Sequence, residues 1–406
     1  MSVRWVTVTG WMCWSMFVAC LVLGLSLSWR EVLIIAVALG LVAVVGLSIL
    51  RRRGTLVVTF ASSVVRVLPG TRATLGVTLA NPGRFSTSAT DVDIPVGSDL
   101  VTRRTARLPG GGAFETVLEV DAPRRMVIPI GPVSIVRRDP FGLYRRSITL
   151  HGTAKVVVHP TTATLPPLSA GFVRDLEGEA TRDLTDSDLS FHALREYVAG
   201  DDRRHIHWKS SAKTGRFMIR QYEQTRRSRM LIVLDTRRGA YVDDAEFELA
   251  VSAAASLGVR ALRDSRDVTF AVSHASLQHQ VQRPRSSALQ VRETVARLSS
   301  VSPPRLLDDV ASVTRSEASL PIAALTPYAA QLATDVSVVF VVTGSTPQVS
   351  DIEQASLPFG AGVEVITLRC SVEGVPSLRT SGRLSVGTLG RLDDLTKLMT
   401  RHRVGA

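Results

Sequence analysis

Two long apolar runs open this chain and limit every fold it can adopt. Val6 to Leu27 is almost unbroken apolar sequence, Ser28-Trp29-Arg30-Glu31 interrupts it, and Val32 to Leu50 is apolar again before Arg51-Arg52-Arg53. Each run is long enough to cross about 30 Å of hydrocarbon as a helix, so residues 1–53 read as a transmembrane hairpin with spans at about 6–27 and 32–50. A signal peptide would account for the first run alone; the second run and the lack of a small-residue cleavage site between them argue against it. Arg4 precedes the first span and the arginine cluster follows the second, against one Arg and one Glu in the turn, which predicts that both termini are cytoplasmic. Trp29 suits a membrane interface, whereas Trp11 and Trp14 lie too deep in the first span to serve as interfacial anchors.

From Thr55 to about Pro160 the pattern changes to short period-two segments separated by Gly, Pro and Asn. Strands are expected at Thr55 to Phe60, Arg72 to Leu79, Ala113 to Val120, Met126 to Ile130, Val133 to Arg137, Ser147 to Leu150 and Lys155 to Val158. Asn81-Pro82-Gly83, Leu108-Pro109-Gly110 and Asp139-Pro140-Phe141-Gly142 read as turns. Residues 54–160 therefore read as an antiparallel β-sandwich, immunoglobulin-like in outline. Residues 161–189, polar and mixed, read as a connector.

The remainder, 190–406, alternates apolar strands with helices. Strands are expected at Arg229 to Asp235, Val268 to Val272, Val336 to Thr343 and Val363 to Leu368, and helices at Asp244 to Leu262, Ser287 to Leu298 and about Leu392 to Arg401. Strands that are apolar throughout imply a parallel sheet covered on both faces, a doubly wound α/β domain. Residues Pro303 to Ala330 carry the weakest pattern.

The densest polar stretch is Arg195 to Arg220, REYVAGDDRRHIHWKSSAKTGRFMIR. Gly200, Asp201 and Asp202 form a helix-start signal, because a short carboxylate accepts the unpaired N–H groups of a first turn. Thr214-Gly215 supplies a stop, and about three helical turns fit between them. On a 3.6-residue wheel Trp208, Ala212 and His205 share one side, Ile206 lies nearly opposite, and Arg203, His207 and Ser211 fill the sector between. Two readings stay open: a helix held between neighbouring elements with a free Arg203/His207/Ser211 docking edge, or Trp208 and Ile206 as plain core with solvated basic groups. A metal cluster of Asp201, Asp202, His205 and His207 is disfavoured, since the two histidines point about 160° apart on a helix.

The net charge is +12 over 406 residues, and Lys155, Lys209, Lys213 and Lys397 are the only lysines. Such a body is attracted to an anionic inner leaflet. No nucleic acid partner is expected, because the basic residues are dispersed and no nucleic-acid module accompanies them. Cys13 and Cys20 fall inside the first span and Cys370 stands alone, which excludes a disulfide framework or zinc spacing. Neither a nucleophile elbow nor a phosphate-binding Gly-Lys-Ser/Thr loop occurs.

The two spans, the β-sandwich with its Asp139-Pro140-Phe141-Gly142-Leu143 turn, and then Arg195-Glu196-Tyr197, Gly200-Asp201-Asp202 and Ile206-His207-Trp208-Lys209 together resemble the bacterial domain-of-unknown-function family fifty-eight (DUF58). The resemblance implies a von Willebrand factor A-like C-terminal domain. It implies partnership with a MoxR-type AAA+ ATPase and with a membrane transglutaminase-like protein, location in the bacterial inner membrane, and no settled reaction. The chain departs from the family pattern at His207, where an acidic residue usually precedes the Trp, and at Lys213, where Arg is usual. A von Willebrand A domain holds a divalent ion such as Mg²⁺ on an Asp-x-Ser-x-Ser turn. Here Asp235-Thr236-Arg237-Arg238-Gly239 keeps only Asp235, and the later Thr343-Gly344-Ser345 turn lacks an Asp, so no cofactor is expected and Asp235 is favoured as the cap of a backbone turn. The expected function is a non-catalytic membrane-anchored scaffold docking through Arg195, Glu196, Tyr197, Gly200, Asp201, Asp202, Arg203, Ile206, His207, Trp208 and Lys209. The alternatives are a metal-assisted hydrolase using Asp235 and nearby acids, or a basic surface for nucleic acid.

Overall fold

The computed structural model describes residues 5–51, 56–87, 89–167, 189–198, 206–224, 229–273, 275, 277, 295–333, 335–360, 362–382 and 384–405. They form two units, Met1–His159 and Pro160–Ala406.

The N-terminal unit begins with helices α1 (Val8–Ser26) and α2 (Arg30–Arg51), both long and apolar enough to cross a membrane. The hairpin closes tightly. Ser28 takes a positive φ of 57°, and a Cβ on Gly24 would come within 2.8 Å of the Leu33 side chain, so the small residue lets the two helices meet.

Ten strands follow: β1 (Val57–Phe60), β2 (Val64–Val67), β3 (Thr71–Ala80), β4 (Thr90–Val96), β5 (Asp99–Thr105), β6 (Ala113–Ala122), β7 (Met126–Ile130), β8 (Ser134–Arg138), β9 (Arg145–Thr149) and β10 (Ala154–Val158). One sheet has the order β1-β3-β6, and the other β2-β10-β7-β4-β8-β9 with β5 on β4. Alternate residues of both sheets, among them Leu75, Val77 and Leu118 from the first and Ile94, Ile130, Ile135 and Val156 from the second, enter one core. That shared core makes the unit a β-sandwich. Strands β2, β4 and β5 were not expected from sequence. Asp91, Asp93 and Pro95 interrupt β4, and β5 is an outer strand whose LVTRRT leaves most side chains in solvent.

In the C-terminal unit a seven-stranded sheet has the order β15-β14-β13-β16-β17-β19-β18, formed by β13 (Arg229–Leu234), β14 (Val268–Ser273), β15 (Val295–Leu298), β16 (Val336–Thr343), β17 (Glu364–Cys370), β18 (Ser377–Ser381) and β19 (Leu384–Leu389). Helices α4 (Asp244–Arg263), α5 (Pro303–Ala311) and α8 (Leu392–Gly405) cover one face. Helices α6 (Ile322–Leu332) and α7 (Val349–Ser356) cover the other. Met230, Ile232 and Leu234 of β13 enter the first core and Leu231 and Val233 the second, which is why this strand is apolar at every position from Met230 on. Earlier in the sequence of the same unit come β11 (Leu189–Glu196), α3 (Trp208–Thr214) and β12 (Met218–Gln224).

Helix α4 is capped at both levels. Asp243 accepts the Glu246 N–H at 2.8 Å while Glu246 accepts the Val242 N–H at 2.8 Å. Small residues Ala250, Ser252 to Ser256 and Gly258 let the sheet and α5 approach it from different sides; a Cβ at Gly258 would lie 2.7 Å from Leu306.

Two expectations need correction. The helix expected at Ser287 to Leu298 is, in its described part, β15, which runs antiparallel to β14 from Phe270↔Leu298 to Ser273↔Val295; pairing satisfies the free edge of β14, a long-range gain that local periodicity does not carry. The rest of that segment, 287–294, lies outside the described residues. The expected connector begins as packed chain: the Ala163 N–H donates to Ser256 Oγ at 2.9 Å, Leu165 is buried against α4, and Arg260 donates to the Leu165 carbonyl at 3.3 Å. Residues 168–188 lie outside the described set.

Candidate functional site

Arg195, Glu196 and Tyr197 lie on and just after β11, which forms a two-stranded antiparallel ribbon with β12; Arg195 faces Ile219 and Glu196 faces Met218 in register. The Tyr197 N–H donates to the Phe217 carbonyl at 2.8 Å. Sequence reasoning missed this ribbon. Its signal was the β-favouring runs FHAL and FMIRQY on either side of the polar stretch.

The helix between these strands is shorter than expected. It starts at Trp208 with His207 as its cap, whose Nδ1 accepts the Ser210 N–H at 3.3 Å. Ile206 is not helical: it bridges Ile219 in antiparallel fashion, and the His207 N–H donates to the Met218 carbonyl at 2.8 Å. A β-branched residue paired to a strand and an imidazole able to cap displace the start beyond the Gly200-Asp201-Asp202 signal. Gly200, Asp201, Asp202, Arg203 and His205 lie outside the described residues. The stop falls at Gly215, whose φ of 72° is the left-handed cap.

The corrected start overturns the wheel. Ser211, expected on an exposed edge, is buried; its hydroxyl donates to the His207 carbonyl at 3.1 Å and accepts the Met218 N–H at 2.8 Å, so it ties α3 to β12. Trp208, expected as an anchor gripped by neighbours, is 66% exposed. Its ring meets Phe217 edge-on at 6.2 Å, and Phe217 meets Tyr197 at 6.4 Å. Lys209, Lys213 and Arg216 are exposed on the same segment, with Arg216 3.3 Å from Glu196. Ser211→Ala is expected to lower the protection of the Met218 amide in hydrogen exchange by roughly tenfold, since loss of a buried donor-acceptor costs about 1 to 3 kcal/mol.

Asp235 follows the carboxyl end of β13, where the strand order reverses between β13 and β16; at such a switch point an open α/β sheet meets its ligands. It is fully buried. One carboxylate oxygen accepts the Arg237 N–H at 3.0 Å and the other the Thr343 hydroxyl at 2.9 Å. Burial pushes its carboxyl up to about 6, with the two hydrogen bonds and the Arg237 guanidinium pulling the other way. Around it the Thr236 hydroxyl donates to Ser319 at 3.1 Å, and the Tyr241 hydroxyl donates to the Asp235 carbonyl. Gly344 has a steric reason. A Cβ there would lie 2.1 Å from the Ala240 carbonyl oxygen, so glycine lets the turn at Arg238–Ala240 close onto β16.

Arg237 places a positive charge beside the Asp235 carboxylate, which opposes a divalent cation at this turn. No group of three or more His, Cys, Asp or Glu arranged for a metal occurs among the described residues. Cys370 is buried at the end of β17, and burial raises its thiol well above the usual range, which keeps it protonated.

Among solved structures, the chain is similar to a CARDB domain from Pyrococcus furiosus in complex with di-metal ions, at 17% identity over 26% of this chain and 90% of that one with a TM-score of 0.21. It is also similar to the alkylpurine DNA glycosylase AlkC of Pseudomonas fluorescens bound to DNA containing an abasic site analog, at 11% identity over 27% and 33% with a TM-score of 0.16. A third is a β-glucosidase from Listeria innocua, at 8% identity over 25% and 17% with a TM-score of 0.17. No curated protein matches the chain. Residues 193–371, from within β11 through α3 to just past β17, match the family described as protein of unknown function DUF58.

Proposed function

We propose that this chain is a non-catalytic scaffold, anchored by α1 and α2 in the bacterial inner membrane with both termini in the cytoplasm, that works with a MoxR-type AAA+ ATPase in the assembly or maturation of client proteins. A membrane transglutaminase-like protein is a further partner on this reading. The β-sandwich is immunoglobulin-like and the α/β unit von Willebrand factor A-like, a class that the strand order around β13 supports.

The observation that carries the reading is the aromatic cluster at the end of the β11–β12 ribbon, in which Trp208 and Phe217 are exposed and Tyr197 is half-buried, flanked by Lys209, Lys213 and Arg216. Aromatic rings held at a surface by backbone pairing and rimmed by cations have the composition of a protein-binding hot spot. The full burial of Asp235 supports a binding role over hydrolysis, since bulk water does not reach its carboxylate.

Co-purification of the ATPase with the full chain from detergent tests it. Trp208→Ala is expected to reduce ATPase recovery about thirtyfold, the loss of roughly 2 kcal/mol that a hot-spot residue carries, while the exposed Phe85→Ala leaves recovery unchanged. Equal recovery with Trp208→Ala removes the ribbon as the docking surface. Failure of the unaltered chain to retain any AAA+ ATPase sinks the partner.

A further inference from the structure

The Asp139-Pro140-Phe141-Gly142-Leu143 turn, prominent in the sequence, lies against the helical hairpin. Leu143 and Tyr144 are buried among Val6, Cys13, Val42 and Leu47. Trp14 Nε1 donates to the Tyr144 hydroxyl at 2.9 Å. A Cβ at Gly10 would lie 2.2 Å from the Leu143 carbonyl oxygen, and one at Gly46 would lie 3.2 Å from Asp139 Oδ2.

These contacts fix a depth. Helix α1 has 19 residues. At 1.5 Å per residue that is about 28 Å, so crossing about 30 Å of hydrocarbon needs its whole length and sets Val8 at the hydrocarbon edge. Gly10 and Trp14 then lie roughly 3 Å and 9 Å inside that edge. From the other helix, Gly46 lies roughly 3 Å inside Ser48, the end of its apolar span. Both helices thus place the turn below the surface.

Irregular backbone at such depth is tolerated only where its polar groups are satisfied by protein. This turn meets that condition at group after group. Asp139 is 4% exposed, and its carboxylate accepts the Phe141 N–H at 3.0 Å and the Tyr144 N–H at 2.5 Å. The Gly142 N–H donates to the Asp139 carbonyl at 3.1 Å. The Gly142 carbonyl accepts the Thr9 hydroxyl at 2.9 Å, the Leu143 carbonyl accepts the Thr7 N–H at 2.9 Å, and the single Thr7 hydroxyl hydrogen is shared between these two carbonyls at 2.6 and 2.9 Å. Phe141, at the tip, is 50% exposed although apolar. On its flank the Arg146 guanidinium sits 4.8 Å over the Trp5 ring and Arg145 is exposed, an aromatic and cationic rim suited to headgroups.

We propose that the Asp139–Tyr144 turn is embedded in the cytoplasmic leaflet, with Phe141 in the upper acyl region and Trp5, Arg145 and Arg146 at the level of the phosphate headgroups. The occupant of this exposed apolar tip is lipid, because the adjoining Leu143 and Tyr144 pack directly on α1 and α2. The proposal rests on reading α1 and α2 as spans, so its test carries a separate probe of that reading.

The full chain with Cys13→Ala and Cys20→Ala, its remaining Cys370 being buried, is reconstituted in vesicles of phosphatidylcholine and phosphatidylglycerol. An environment-sensitive fluorophore is attached singly at Phe141→Cys, at Ile35→Cys within α2, or at Phe85→Cys, which is 87% exposed. The expected result is that lipid-attached quenchers remove most of the emission at 141 and 35 and iodide removes most of it at 85. Iodide quenching at 141 with lipid quenching at 35 overturns the embedded turn and leaves the spans standing. Iodide quenching at 35 overturns the spans, and the embedded turn with them.

Discussion

Thr343→Val is expected to destabilise the α/β unit by about 2 to 3 kcal/mol near pH 8 and by much less near pH 5, although the substitution keeps the side-chain shape. The hydroxyl's partner explains the difference. Thr343 supplies one of the donors to the buried Asp235 carboxylate, and a carboxylate that loses a donor in a dry site bears the desolvation of that oxygen in full. The direction with pH follows from the raised carboxyl, about 6 in the folded chain against an ordinary 3.8. A carboxyl whose folded pKa exceeds its unfolded pKa binds its proton more tightly when folded. Its contribution is therefore fully present below about pH 4 and is lost as pH rises through about 6. Removing a donor to the charged form raises the folded pKa again and extends that loss to higher pH. Hydrogen exchange of the β13 and β16 amides in the detergent-solubilised full chain measures it. Asp235→Asn in the same background should restore most of the protection near pH 8, because the amide carries no charge to desolvate. A loss equal at both pH values would assign Thr343 to packing alone.

Gly10→Ala is the second large effect, expected to weaken the seat of the hairpin on the β-sandwich by about 2 to 3 kcal/mol. The added methyl would meet the Leu143 carbonyl oxygen at 2.2 Å and Val6 Cγ1 at 2.7 Å. That carbonyl has little freedom to rotate away, because it accepts the Thr7 N–H at 2.9 Å. The readout is a gain in protease cleavage at the Asp139–Tyr144 turn and loss of protection at the Tyr144 amide. Gly239→Ala, where a Cβ meets nothing within 4 Å, serves as the substitution expected to change neither.

The elements legible in the sequence are those whose burial is written into local pattern. RMLIVL and VSVVFVVT are apolar at successive positions because β13 and β16 have helices on both faces, and the apolar length of α1 and α2 announces itself. Elements that depend on a distant partner were not legible. β15 is a strand because β14 offers it an edge, and β4 carries two Asp and a Pro that argue locally for a loop. The motif shows both outcomes within a few residues. Its Gly215 stop is local chemistry and was readable, whereas its start is set by Ile206 pairing with Ile219 and by His207 capping, which the Asp pair upstream concealed. The exposure of Trp208 was invisible for the same reason, since a helical wheel assigns faces only to residues that are on the helix.

Helix α4 constrains how this chain can vary. Thirteen of its residues are buried, from Glu246 to Ala261, and they occupy every side of the helix. An amphipathic helix accepts drift along its wet flank; this one has almost no such flank, and its alanines, serines and glycine leave no volume to absorb a larger side chain. A saturation scan should therefore find α4 depleted of tolerated replacements around its whole circumference, with relief confined to exposed residues such as Ala245 and Arg263.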